Sequence, residues 1–204
     1  MPKLLIATNN PGKVEEFQAL LATQRLPLQL CTPAELGLAL DPPETGSTYM
    51  ENAAIKALAF AQASGLPALA DDSGLEVAAL AGAPGLHSAR YSPKPGATDA
   101  DRRAYLLEQL AAQGTPPPWP ARFYAALCLA LPDGQTFFAE GECVGEITLA
   151  ERGSGGFGYD ALFVVAGTGL TMAELSFEHK NQLSHRARAV QAMRAQLSAI
   201  DGQA

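Results

Sequence analysis

Apolar residues recur along this chain in two rhythms. Lys3-Leu4-Leu5-Ile6-Ala7 is a continuous apolar run of strand length, and beyond the polar segment Thr8-Asn9-Asn10-Pro11-Gly12-Lys13 the positions Val14, Phe17, Leu20 and Leu21 fall on one helical face. The pattern predicts strand, loop, helix. Leu26 to Leu30 predicts a further strand, and Asp41-Pro42-Pro43-Glu44-Thr45-Gly46-Ser47 a turn-rich connection. Thr48-Tyr49-Met50-Glu51 carries the spacing of a capping box and opens an alanine-rich helix to about Ala63. Ile55, Leu58 and Ala59 are its expected buried side, while Asn52 and Lys56, four apart, share another face.

From Leu66 an apolar run leads to Asp71-Asp72-Ser73-Gly74, and the pattern predicts a buried strand that ends there and delivers acids to a cleft edge. If the pair stays extended, successive side chains point to opposite faces, so Asp71 and Asp72 cannot both aim at one atom. One would hold the structure while the other works. The same residues also suit a strand closed by an Asx-turn, with aspartate and serine serving local backbone hydrogen bonds, so the segment alone leaves both readings open.

Leu80 to Tyr91 is a loop punctuated by Gly and Pro, without a clear period. Thr98-Asp99-Ala100-Asp101 starts a helix that buries Leu106, Leu107 and Leu110 and stops near Gly114; Thr115 to Pro120 is a stiff spacer. Arg122 to Leu131 is apolar at odd and even positions alike and predicts a strand covered on both faces. Pro132-Asp133-Gly134 turns it into Thr136 to Leu149, with Gly141 and Gly145 as bend points. Gly153 to Asp160 is a glycine-rich loop before a strand at Ala161 to Val165, and its Phe157 and Tyr159 suit stacking on a flat ligand or packing into the core. Ser184-His185-Arg186 opens the last helix, whose buried stripe is Val190, Met193 and Leu197. Cations in a first helical turn run against the dipole, which suggests a bound anion or a carbonyl acceptor nearby.

Composition narrows the class. A chain of 204 residues, 48% hydrophobic and 17% charged, supports one sizeable core or two modest lobes, and a single compact unit is expected. No run reaches the roughly 18 apolar residues of a membrane span, and Leu4 to Ala7 is too short for a signal-peptide core, so a soluble intracellular protein without a membrane partner is expected. Cys31, Cys128 and Cys143 lack paired metal-ligand spacing, which predicts buried reduced thiols and argues against zinc. A net charge of −7 opposes binding to nucleic acid. A polyanionic small ligand would need local positive charge, and Lys13 and Lys180, in polar segments, are candidates to supply it. The loop Thr8 to Lys13 opens a helix and so offers unpaired N–H groups to an anion, though it lacks the spacing of a P-loop; an ordinary Asn-capped helix start reads the same.

Taken together, Thr8-Asn9-Asn10-Pro11-Gly12-Lys13, Glu44-Thr45-Gly46 with Glu51-Asn52-Ala53, Ala70-Asp71-Asp72-Ser73-Gly74-Leu75, Gly82-Ala83-Pro84-Gly85 with Ser88-Ala89-Arg90-Tyr91, Gly156-Phe157-Gly158-Tyr159-Asp160, and Ala173-Glu174-Leu175 with Lys180 and Ser184-His185-Arg186 resemble, in this order, the inosine triphosphate pyrophosphatase family. The match runs from residue 4 to about residue 190. The resemblance implies an α/β fold with an elongated mixed β-sheet flanked by helices, two lobes and a nucleotide groove between them, in one domain over residues 1–204. It implies a cytoplasmic homodimer that hydrolyses non-canonical purine nucleoside triphosphates (ITP, dITP, XTP) to monophosphate and pyrophosphate with Mg2+.

By position, Asp72 is the catalytic acid, Ser73 a substrate contact, and Thr8, Asn9, Asn10, Pro11, Gly12 and Lys13 the phosphate-side loop. Phe157, Gly158, Tyr159, Asp160, Lys180, His185 and Arg186 match substrate-binding positions, and Asp72 with Glu44 the metal-associated acids; some relatives carry a second acid where this chain has Pro43, and His87 stands where relatives often carry tyrosine. Mg2+ with Lys13, Lys56 and Lys180 would neutralise the leaving phosphates, and donors at the last helix start, including His185 or Arg186, would read the 6-oxo group of the base. A phosphatase of the haloacid dehalogenase type is ruled out because its second aspartate stands two residues on, where this chain has Gly74. A pyrophosphatase of modified pyrimidine triphosphates and a nucleotide-binding regulator without turnover are the remaining alternatives.

Overall fold

A strand that is apolar at every position needs cover on both faces. In the computed structural model, which describes residues 1–200, β1 (Lys3–Ile6) has it. Leu4 and Ile6 pack with Phe17, Leu20 and Leu21, whereas Leu5 and Ala7 pack with Ala53, Ala57 and Phe60. The first group of partners belongs to helix α1 (Pro11–Thr23) and the second to α2 (Tyr49–Ser64). Among the described residues, β1 joins β2 (Gln29–Cys31), β3 (Ala68–Val77), β4 (Trp119–Ala130), β5 (Thr136–Ile147) and β6 (Phe163–Val165) in a six-stranded sheet of order β2-β1-β3-β4-β5-β6. β1 runs parallel to β2 and to β3, while β5 and β6 are antiparallel, so the sheet is mixed. The remaining helices are α3 (Asp99–Ala112), α4 (Phe177–Leu183), α5 (His185–Ala192) and α6 (Arg194–Ala199).

The chain divides into two units. The first holds Met1–Asp72, Ala125–Gly141 and the chain from Arg186 onward; the second holds Ser73–Tyr124 and Glu142–His185. In the first, Val190, Met193 and Leu197 are fully buried in the cluster that also contains Leu4, Ile6, Phe17 and Leu127, as the predicted stripe required. The second has its own core, in which Leu75, Leu106, Leu110, Trp119, Phe123, Tyr159 and Phe163 meet.

Several expectations are corrected. Helix α1 starts at Pro11 rather than after Lys13, because the Asn10 side chain caps it by accepting the Lys13 N–H at 3.1 Å and proline suits the first helical position. β2 lies three residues later than Leu26 begins it, at Gln29–Cys31, where Leu4 pairs with Leu30. β3 does not end at the acids; it runs through them to Val77, because Asp71 and Asp72 have partners that let a strand stay buried. On α2 the buried face is Asn52, Ala53, Ala57, Phe60 and Ala61, and Leu58 is 38% exposed. The sheet side takes alanines because they let helix and strand approach closely. Thr48 caps α2 as expected, but the Glu51 carboxylate accepts from Ser47 N and Oγ, one residue further back than a capping box requires. The short helix α4 was not legible in the pattern, and α5 and α6 divide the single last helix that was expected. Cys31, Cys128 and Cys143 are buried thiols, as predicted. No helix among the described residues is long and apolar enough to cross a membrane.

Gly145, read from the sequence as a bend, is required by close approach: a Cβ there would lie 2.2 Å from the Val164 carbonyl oxygen and 2.7 Å from the Phe163 ring. Gly145→Ala is expected to destabilise the protein by about 1–3 kcal/mol, since the strand pair has no room to relax. A urea denaturation midpoint equal to that of the unaltered protein would refute the β5–β6 register.

Candidate active site

An ion buried without a partner costs several kcal/mol, so each buried charge here can be traced to what offsets it. β3 supplies the first two. Leu69 lies in the cluster with Phe17 and Leu20, and Ala70 in the one with Ala53 and Ala57. Alternation along the strand continues this, sending Asp71 to the side of α1 and α5 and Asp72 to the side of α2. Asp71 has no exposed side-chain surface; its Oδ1 faces Lys13 Nζ at 3.0 Å and its Oδ2 accepts from Arg186 Nε at 3.0 Å. Arg186 also donates through Nη1 to Glu16 Oε2 at 2.9 Å. Burial alone would raise the Asp71 pKa, but the charges of Lys13, Arg186 and Lys56 hold it far below the usual carboxylate range. Burial lowers the Lys13 pKa, helped by Arg186 and Lys56 and opposed by Asp71.

On the other face Asp72 Oδ2 accepts from Asn52 Nδ2 at 2.9 Å, and Lys56 Nζ lies 3.6 Å from Asp72 Oδ1 and 2.7 Å from Glu44 Oε1. Asn52 is itself oriented, because its Oδ1 accepts the Gly46 N–H at 2.8 Å. Burial pushes the Asp72 pKa above its usual value, with the Glu44 charge adding to it; Lys56 and the Asn52 hydrogen bond pull against that shift. For Lys56 burial acts to lower the pKa, yet Asp71, Asp72 and Glu44 outweigh it and raise the group. Adjacent carboxylates are thus driven in opposite directions, the pattern that separates a structural acid from a working one.

In the second unit a smaller cluster forms around the glycine-rich loop. Lys180 Nζ donates to Asp160 Oδ2 at 2.7 Å, the same oxygen accepts the Phe157 N–H at 3.0 Å, and the ammonium stands 5.4 Å from the centre of the Phe157 ring. Gly156, at φ +72°, has no space for a side chain: a Cβ would come within 2.0 Å of Asp160 Oδ2. His185 is buried with its ring stacked on Phe123 at 4.9 Å.

Of the predicted site residues, the structure brings Lys13, Glu44, Lys56, Asp72 and Arg186 together in the first unit, and Phe157, Gly158, Asp160 and Lys180 together in the second. Thr8, Asn9, Asn10 and Pro11 lead into α1, with Thr8 Oγ1 accepting the Asn10 N–H and Asn9 Nδ2 donating to the Leu40 carbonyl; Gly12 is in the first helical turn. Ser73 follows Asp72 in β3 and is half-buried. Of the two readings open for the loop aromatics, Tyr159 takes core packing: its ring is in the core of the second unit and its hydroxyl donates to the Ser88 carbonyl at 2.9 Å. Asn52 and Glu16 were not among the predicted site residues. Asn52 could have been found from its spacing to Lys56, and Glu16 from being an acid beside the apolar stripe of α1.

Among the described residues no three His, Cys, Asp or Glu side chains converge on a point that could hold a metal. Asp72 and Glu44 do share one cation, the Lys56 ammonium, so the two carboxylates can face a common positive charge. Two hard oxygen ligands with the remainder left to water and phosphate oxygens is the donor set that magnesium accepts.

Sheet order and site define a mixed α/β protein with a buried carboxylate of raised proton affinity beside a buried ion-pair network. The model of the Ham1 family matches residues 4–196, and the chain belongs to that family. A dITP/XTP pyrophosphatase of Thermus thermophilus is 50% identical over 192 residues, covering 94% of this chain and 89% of that protein. One of Xanthomonas campestris pv. campestris is 48% identical over 206 residues, covering 98% and 99%. The solved structure of a HAM1 protein from Coxiella burnetii, 40% identical, superposes with a TM-score of 0.83 over the whole of both chains, and that of the Staphylococcus aureus Ham1 protein, 38% identical, with 0.81 over 99% and 100%. The family read from the motifs is borne out, as is the mixed α/β fold.

The opposed electrostatics of β3 give a signed expectation for stability in metal-free buffer. The depressed Asp71 pKa contributes stability that is present above its unfolded value, near ~4, and is lost as pH falls below that toward the folded value. Asp71→Asn strands Lys13 and Arg186 and is expected to cost about 3–5 kcal/mol at pH 7, a deficit that shrinks as pH is lowered below about 4. The raised Asp72 pKa has the opposite sign: its ionised form costs the fold stability above that pKa, so Asp72→Asn is expected to raise the urea midpoint at neutral pH. Equal midpoints for the two variants would contradict the assignment of partners.

Proposed function

We propose that this protein hydrolyses non-canonical purine nucleoside triphosphates, ITP, dITP and XTP, to the monophosphate and pyrophosphate, and so keeps them out of nucleic acid. Family membership and the names of the relatives support the activity. The structural observation that carries it is the single strand in which Asp71 is locked by Lys13 and Arg186 while Asp72 is held with a raised proton affinity between Asn52 and Lys56.

Water must attack phosphorus in line with the departing pyrophosphate while negative charge on the phosphate oxygens is neutralised. Asp72 is the proposed catalytic residue, accepting the proton of that water. A buried carboxylate with a raised pKa is a stronger base than an exposed one at the same pH. Asn52 and Lys56 fix the plane of its carboxyl, so little reorganisation accompanies proton transfer. Lys56 places positive charge beside Asp72 and Lys13, at the start of α1, beside Asp71 in a chain of net charge −7, and the loop Thr8 to Gly12 adds the N–H end of the helix. Mg2+ is the ion we assign to Asp72 and Glu44; when bound it neutralises phosphate charge and acidifies coordinated water.

Ser73, Phe157, Gly158, Tyr159, Asp160, Lys180, His185 and Arg186 are the remaining proposed substrate positions, on the strength of the motifs. The half-buried Phe157 offers a face to a purine, while Tyr159 supports the loop from the core. A 6-oxo group accepts where the adenine amino group donates, so a rigid donor from His185, Arg186 or the nearby backbone pairs with ITP and meets another donor in ATP. Each such mismatch costs roughly 1–3 kcal/mol, about 10–150-fold. We further assign the protein as a single catalytic domain that works as a cytoplasmic homodimer.

Incubation with ITP, dITP, XTP, ATP and GTP in the presence of Mg2+, followed by identification of the released product, tests the reading. Pyrophosphate from the first three and little from ATP is expected; orthophosphate, or no turnover of any triphosphate, would overturn it. Asp72→Asn is expected to lower kcat by about 10²-fold or more while ITP still binds, measured by turnover and by equilibrium titration. Full activity in that variant would remove Asp72 from the mechanism.

A further inference from the structure

The loop Gly156 to Asp160 is fixed at four of its residues, two of them by its own Asp160 and two by other parts of the second unit. Gly156 is wedged against Asp160, the Phe157 N–H donates to Asp160 Oδ2, and the Tyr159 hydroxyl donates to the Ser88 carbonyl. The fourth attachment is to α3, and it holds both polar groups of a single residue. The Gly158 N–H donates to Asp99 Oδ2 at 2.7 Å, and the Gly158 carbonyl accepts from Arg103 Nη1 at 2.8 Å. Asp99 and Arg103 stand four apart, so both side chains leave the same face of the helix. Each is held by a second partner: Asp99 by Arg102, and Arg103 by Glu151, whose carboxylate accepts from Nη2 at 2.9 Å and pairs with the guanidinium at Nε, also 2.9 Å away. Nothing in the mechanism above uses these four side chains.

A glycine in the left-handed region, here φ +62°, leaves the direction of the following and preceding side chains to whatever fixes its peptide groups. In this loop the fixing groups are two opposite charges, which bond backbone dipoles more strongly than neutral partners do. The residue before Gly158 is Phe157, half-buried, with Lys180 Nζ beside its ring. We propose that Asp99 and Arg103 are positioning residues that clasp the Gly158 peptide and thereby hold the Phe157 ring in the orientation that receives the purine base. The proposal rests on the reading of Phe157 as the base platform. The clasp acts on affinity for the base-bearing part of the substrate and not on the chemical step, because it reaches the substrate only through Phe157.

The test is a steady-state comparison with ITP, paired with inhibition by inorganic tripolyphosphate, which has charge but no base. Asp99→Ala and Arg103→Ala are each expected to raise KM for ITP about tenfold, the value of one charge-assisted hydrogen bond, with kcat changed less than about twofold. Inhibition by tripolyphosphate should be unchanged. Asp99→Asn, which keeps an oxygen to accept the Gly158 N–H, should recover most of the loss. Combining Asp99→Ala with Phe157→Ala should give no further rise in KM beyond Phe157→Ala alone. If Asp99→Ala fails to fold by its thermal midpoint, Arg103→Ala alone and with Phe157→Ala decides by the same comparisons. A fall in kcat in place of a rise in KM, weakened tripolyphosphate inhibition, or additive effects with Phe157→Ala would each overturn the inference. A raised KM in Phe157→Ala beside an unchanged KM in the clasp variants refutes the clasp alone, whereas an unchanged KM in Phe157→Ala refutes the platform reading on which it stands.

Discussion

Two neighbouring residues of an extended strand must face opposite sides of the sheet, and the chemistry proposed for this protein depends on that constraint being applied to Asp71 and Asp72. Had β3 stopped before them, a turn could have brought both carboxylates to one point, where each would have opposed ionisation of the other. Because the strand runs on to Val77, each acid meets a different helix. Asp71 is paired with the cations Lys13 and Arg186, while Asp72 has the Lys56 ammonium, the Asn52 amide and the neighbouring acid Glu44 beside it. Opposite shifts of proton affinity follow from the pleat of the backbone and from which helix lies on which face.

The charged layer has a division of labour. Arg186 is shared between Asp71 and Glu16, so the start of α5 is tied to both β3 and α1. Within that network Asp71 offsets part of the cost of burying Lys13, while burial itself and the charges of Arg186 and Lys56 lower the proton affinity of its amine. Seen this way, cations in the first turn of α5 do not contradict the dipole preference. Arg186 is there because its partners, Asp71 and Glu16, are carboxylates of other elements.

Much of this was legible in the sequence. The strand, loop and helix at the start, the Thr48 and Asn10 caps, the stripe Val190, Met193 and Leu197, and the incompatibility of the two aspartates with one target all follow from period and side-chain direction. The extent of β3 did not, since an Asp-Asp-Ser-Gly run looks like a turn until the ion pairs that keep it buried are known; those pairs join residues as far apart as Asp71 and Arg186. Local pattern carries no trace of such contacts. The exposed Leu58 misled for a related reason: hydrophobicity ranks leucine above alanine, while the sheet selects by size.

That selection by size bears on the chemistry directly. Ala53 and Ala57 are fully buried against β3, and Asn52 and Lys56, each one residue earlier, reach Asp72 from the same helix. A larger side chain at Ala53 or Ala57 would have to lift α2 from the sheet, and the first thing admitted would be water around Asp72. Hydration favours the ionised carboxylate, so the raised proton affinity on which the proposed role of Asp72 rests would fall before any partner was lost. The alanines of α2 therefore do more than favour a helix. They set the distance at which an amide and an ammonium can hold a carboxylate out of water.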